Sequence, residues 1–135
     1  MNKIQKIQDK SLKDHYFFCK HILNYSKMEE KPHRSLSDFL EKSKKRKRLI
    51  LMPRGSFKSS CVTVGYTIWK IIQNPNIRVL ISGETQKNSK SFLKEIRGHF
   101  ERGDRLRAAF GDWVGEPWRD DQLMVSKMVS IKKEP

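Results

Sequence analysis

Lys58 and Ser59 close the stretch Leu49-Ile50-Leu51-Met52-Pro53-Arg54-Gly55-Ser56-Phe57-Lys58-Ser59-Ser60 and are the pair of residues with the clearest chemistry in the chain. A lysine followed by a hydroxyl residue at the start of a helix suits a nucleoside triphosphate. The ammonium reaches the β- and γ-phosphates, and the hydroxyl is a ligand for the accompanying Mg2+. The helix start strengthens the grip, because its first N–H groups have no intrahelical partner and its dipole favours an anion. Against the pattern G-x-x-x-x-G-K-[ST], Lys58-Ser59 match, while Met52 and Phe57 occupy the two glycine positions.

The flanking segments must position this loop. Leu49 to Met52 has the length and composition of a short buried strand, which Pro53 stops because proline cannot donate to a ladder. Ser60 to Ile72 has the apolar spacing of a helix packed on a sheet. Gln73-Asn74-Pro75-Asn76 reads as a turn, and Ile77-Arg78-Val79-Leu80-Ile81 as a second strand. Strand, helix, strand at this spacing predicts parallel strands joined by a right-handed crossover, hence an α/β fold with a short parallel sheet flanked by helices. Ser82 to Thr85 then lies at the carboxyl edge. A helix follows from about Thr85 to Arg102, with Phe92, Leu93, Ile96 and Phe100 inward.

Pro53 to Ser60 resembles the variant Walker A loop of the large terminase subunits of tailed bacteriophages, which carry an arginine four positions before the lysine. Arg54 stands at that position. The resemblance implies a partial P-loop NTPase over residues 11–135, cut before Walker B, with residues 1–10 frayed. It implies that ATP and Mg2+ are the cofactors, that Lys58 and Arg54 are the catalytic pair, and that Arg54 contacts the γ-phosphate and couples hydrolysis to movement. Gly55, Ser56, Phe57 and Ser60 would complete the nucleotide-binding loop, and Ser59 would ligate the metal. In this family the segment ahead of Walker A holds the adenine, where His33 and Arg34 are the local candidates.

Large terminases join this ATPase to an RNase H-like nuclease. With a small terminase subunit and the portal protein, they drive double-stranded viral DNA into a capsid, in the cytoplasm of an infected or lysogenic bacterial host. A Walker B aspartate with its adjacent carboxylate should follow an apolar strand. Asp120-Asp121 follows Pro117-Trp118-Arg119 instead and reads as a turn, Glu84 reads as part of a helix cap, and no acidic nuclease triad can be assembled. The expectation is an N-terminal fragment with weak nucleotide binding and negligible turnover. A helicase fragment would share the layout, although helicase loops usually keep the glycine that Phe57 replaces.

Composition bounds these readings. With 135 residues, 36% of them hydrophobic, and a mean hydropathy of -0.73, the chain has room for one domain with a modest core. No apolar run approaches a membrane span, and Met1 to Asp14 lacks a signal-peptide core, so a soluble cytoplasmic protein is expected. The net charge of +14 favours a polyanion partner. Lys42 to Lys58 holds eight basic residues and no acidic one. Lys44, Lys45, Arg46 and Lys47 are candidates for DNA backbone contact, or equally a solvated loop. A non-enzymatic DNA-binding module would explain the charge with Lys58-Ser59 incidental.

Of the remaining segments, Ser11 to Asn24 reads as a helix, and Ser35-Leu36-Ser37-Asp38 as a capping box ahead of buried Phe39-Leu40. Gly111 to Trp118 reads as an aromatic loop covering a core edge, and Leu123 to Ile131 as a strand or strand pair. Cys19 and Cys61 have no paired spacing, so both are expected reduced and packed. His15 and Cys19 share a helix face and read as core rather than as metal ligands.

Overall fold

Asn2 starts the chain's first helix by a reciprocal cap. Its side chain accepts the Gln5 N–H at 2.8 Å, and the Gln5 side chain takes the Asn2 N–H at 3.3 Å. The result is α1, Lys3–Lys13, so the residues expected to fray are helical. The computed structural model describes residues 2–53, 59–116, 118–119 and 121–125.

Asp14 breaks the next predicted helix in two. Its backbone is extended, and its carboxylate caps α2, His15–Phe17, by accepting the Phe17 N–H at 3.2 Å. This helix widens into a π-helical turn, Phe18–Ile22, and Asn24 follows with φ of 62°, a left-handed conformation that asparagine tolerates. The segment Glu30–Arg34, kinked at an extended Lys31 (φ -120°, ψ 131°), leads into α3, Ser35–Lys42. The capping box expected at Ser35 does not form, because Arg34 already has helical dihedrals. Asp38 lies instead between Arg34 at 3.7 Å and Lys42 at 3.9 Å, each one helical turn away. Leu40 is buried as expected, whereas Phe39 is exposed.

After the loop a second π-helical turn, Ser60–Tyr66, runs on into α4, Thr67–Gln73. α5, Gln86–Arg102, is capped by Thr85, whose hydroxyl accepts the Asn88 N–H at 3.2 Å. α6, Asp104–Phe110, follows directly. The corner between α5 and α6 requires Gly103, since a Cβ there would sit 2.5 Å from the His99 carbonyl oxygen.

The parallel sheet expected from Leu49–Met52 and Ile77–Ile81 is absent. Among the described residues there is no strand or sheet, and β pairing is confined to an isolated antiparallel bridge between Trp118 and Leu123. The P-loop α/β fold class is therefore corrected to a helical one. The physical reason is that an apolar run becomes a strand only when a neighbouring strand takes its backbone groups in a ladder, and among the described residues neither run belongs to one. Ile50, Met52 and Ile81 lean on the helical core, while Leu49, Leu51 and Leu80 stand 79%, 80% and 91% exposed. Of the strand expected at 123–131, Leu123 is in the bridge and Val125 is buried; residues 126–131 lie outside the described residues.

Helix faces fill the centre instead. Phe18 and Ile22 meet Val64, Ile68 and Ile72 from the helix after the loop, with Ile96 and Phe100 of α5 and Leu106 of α6. Each fully buried side chain of this size contributes about 1.5–3 kcal/mol relative to exposure. α1 is tied down by polar bonds to its carbonyls, Trp69 Nε1 donating to Ser11 at 2.8 Å and Gln73 Nε2 to Leu12 at 2.7 Å. Trp113 stacks on Phe100 at 6.2 Å and Trp118 meets the same ring edge-on, so the aromatic loop does cover a core edge. No described helix is long and apolar enough to cross a membrane.

Candidate functional site

The loop residues Arg54, Gly55, Ser56, Phe57 and Lys58, which carry most of the nucleotide-binding expectation, lie outside the described residues. Their flanks do not. Pro53 is exposed, and Ser59 is exposed with helical dihedrals (φ -64°, ψ -39°). The helix continues from Ser60 through α4. Ser59 is thus already part of the helical run, and its side chain makes no capping hydrogen bond to it.

His33 and Arg34 are held in the corner between α2 and α3. His33 is buried, and its Nδ1 accepts the Glu29 N–H at 2.9 Å. Arg34 Nη1 donates to both carboxylate oxygens of Asp14, at 3.0 and 3.1 Å, and its guanidinium lies 5.4 Å over the Tyr16 ring. The Asp14 hydrogen bond holds the Arg34 guanidinium above its usual range.

The basic segment leaves the C-terminus of α3 with Lys44, Lys45, Arg46 and Lys47 exposed. Arg48 behaves differently. Its side chain donates to the Leu40 carbonyl at 2.9 Å and the Lys45 carbonyl at 3.2 Å and lies 5.9 Å over the Tyr66 ring, which folds the segment back beside the helix that follows the loop.

Three side chains, two of them one helical turn apart and the third from a distant segment, meet in the interior. The ligand atoms of His15, Cys19 and Cys61 lie within 4.8 Å of one another, and all three residues are fully buried. His15 Nε2 is 3.3 Å from Cys19 Sγ, and His15 Nδ1 is 2.9 Å from the buried Ser37 hydroxyl. Tyr66 and Trp69 close over the imidazole edge-on, with ring centroids at 5.8 and 5.3 Å.

Local structure explains the meeting. His15 and Cys19 are one turn apart on one face. Cys19 and Cys61 both sit in π-helical turns, a widened geometry that recurs at functional sites. Gly65 then lets the two turns approach, since a Cβ there would stand 2.6 Å from Cys19 Sγ.

The electrostatics follow from burial. Desolvation lowers the His15 imidazole to about 4, so it is neutral at pH 7. Burial pushes the Cys19 thiol up, while hydrogen bonds from Cys19 and Ser37 draw the Cys61 thiol down. A neutral imidazole and two thiols make a soft-metal donor set. The sequence signal for it was half present, in the His15–Cys19 spacing; the third member comes from a distant helix that only tertiary packing brings close.

No protein-family model, no curated protein and no solved structure matches the chain.

Proposed function

We propose that the chain is a nucleotide-gripping N-terminal part of an ATP-driven DNA-packaging motor of the large-terminase kind. The observation that carries this reading is that Lys58-Ser59, in the sequence context Pro53 to Ser60, stands at the head of a helical run that Ser59 already joins and that the Ser59 side chain does not cap. Lys58 would hold the phosphates, Ser59 the Mg2+, and Arg54 the γ-phosphate, with ATP as the nucleotide. Double-stranded viral DNA, a portal protein and a small terminase subunit would be its partners, in the cytoplasm of a bacterial host. This reading takes its support from the loop and the helix start and takes none from a sheet. Turnover by this chain alone is expected to be negligible, because no Walker B carboxylates can be assigned.

The test is binding of a fluorescent ATP analogue with Mg2+ in moderate salt, which suppresses nonspecific attraction of polyphosphate to a basic chain. Lys58→Ala should lose at least about tenfold more affinity than Lys45→Ala, the scale of one charge-assisted contact. Equal small losses would reject the nucleotide site.

A second reading, a basic DNA-binding module without enzymatic activity, is favoured by the helical fold and by the exposed row Lys44 to Lys47. It requires salt-dependent binding of duplex DNA that neither nucleotide nor Lys58→Ala alters.

A further inference from the structure

We propose that His15 Nε2, Cys19 Sγ and Cys61 Sγ form an internal binding site for a thiophilic divalent cation, with Zn2+ the ion whose charge and size match it. Zinc held at about 2.3 Å from sulfur and 2.0–2.1 Å from nitrogen in tetrahedral geometry sets a nitrogen–sulfur pair roughly 3.6 Å apart and a sulfur–sulfur pair roughly 3.8 Å apart. The His15–Cys19 pair already stands at 3.3 Å, and no pair in the triad exceeds 4.8 Å. Closing on an ion is therefore a matter of side-chain adjustment, not of moving helices.

Charge and surroundings select the ion. Two thiolates and a neutral imidazole sum to -2, which a divalent cation cancels; a monovalent one would leave a buried net charge, which is costly without a partner. Ser37 supplies the orientation. In the tautomer that donates Nδ1–H to the Ser37 hydroxyl, 2.9 Å away, Nε2 offers its lone pair on the side of Cys19 Sγ, 3.3 Å away. Gly65 lets the helix after the loop close on Cys19 Sγ, which a Cβ would meet at 2.6 Å. Three protein donors leave the fourth tetrahedral position to a water or small anion.

Binding exchanges each thiol proton for a bond to zinc, so one ion entering releases two protons when both thiols start protonated. The bound ion joins α2 to the helix that begins at Ser60, independently of whether the loop before it holds nucleotide.

The experiment is a Co2+ and then Zn2+ titration of the whole reduced chain. Cys19 and Cys61 are its only cysteines, so a thiolate-to-cobalt charge-transfer band reports on them without any substitution. The expected result is a band that saturates at one equivalent, disappears when one equivalent of Zn2+ is added, and is accompanied by a higher thermal midpoint with zinc. No band overturns the proposal, and so does a band with a lowered midpoint, which would mean that the metal prefers the unfolded chain. Ser37→Ala should weaken cobalt affinity by about 10–100-fold while keeping the band; unchanged affinity removes the orienting role. Cys61→Ser should lose most of the band's intensity. Should that variant fail to fold, the proton count in the native chain decides, two per zinc supporting the site and none overturning it.

Discussion

The Tyr25 hydroxyl sits 2.7 Å from His99 Nε2 and 3.0 Å from a Glu95 carboxylate oxygen, so one buried phenol joins the segment after the Phe18–Ile22 turn to two successive turns of α5. A consistent proton arrangement runs from His99 Nε2–H to the phenol oxygen and from the phenol O–H to Glu95. Tyr25→Phe should therefore cost about 0.5–1.5 kcal/mol in urea unfolding, the net range for a hydrogen bond whose partners keep access to water.

The same corner predicts a pH dependence. Burial lowers the His99 imidazole below its usual value, with Arg102 pushing the same way and Glu95 opposing. Its folded pKa is below its unfolded pKa, so the unfolded chain binds more protons as pH falls below about 6.5. The stability gained by keeping His99 neutral is present above that point and is lost as pH falls toward the folded value. His99→Gln should thus destabilise the chain more at pH 7.5 than at pH 5.5 in paired urea unfolding curves. Equal losses at both pH values would show that His99 is not the group responsible.

Gly65 faces Cys19 closely enough for a Cβ to collide with its sulfur at 2.6 Å, and the Ser60 carbonyl oxygen lies 3.1 Å away. Cys19 is fully buried, so moving its sulfur disturbs the packing around it. Gly65→Ala should destabilise by about 1–3 kcal/mol despite alanine's higher helix propensity. In a Cys19→Ala background the same change should be about neutral. A double-mutant cycle measures this, and additive losses would place the strain elsewhere.

The exposed row Lys44, Lys45, Arg46 and Lys47 gives a quantitative test of the DNA reading. If all four neutralise phosphates, changing them together to glutamine should reduce the slope of log K against log salt by about 3.6, at about 0.9 per phosphate contact. Fluorescence anisotropy of a labelled duplex over a salt series checks this. An unchanged slope would leave these cations as solvated surface.

Sequence reading served well where the signal was local. The helix from about Thr85 to Arg102 and its inward positions Ile96 and Phe100 follow from helical periodicity within one segment, and both are present. It failed where the deciding partner was remote. Leu49–Met52 and Ile77–Ile81 have strand-like composition, but composition does not say whether a neighbour will pair with them, and none does among the described residues. Cys61 was read alone for the same reason: its spacing from His15 and Cys19 carries no motif, and only the packing of the two π-helical turns makes the group. The break at Asp14 was missed because an extended residue within an apolar period leaves the period nearly intact.

Leu49, Leu51 and Leu80 stand bare in solvent, and the first two come directly after the five cations Lys44 to Arg48. Sticky apolar runs flanked by like charge are how sequences discourage self-association, because two copies repel before their exposed leucines can meet. The cationic row is then a colloidal guard for the chain as well as a candidate polyanion contact, and anything that neutralises it, whether added salt or a bound polyanion, also removes the barrier between one molecule's leucines and the next.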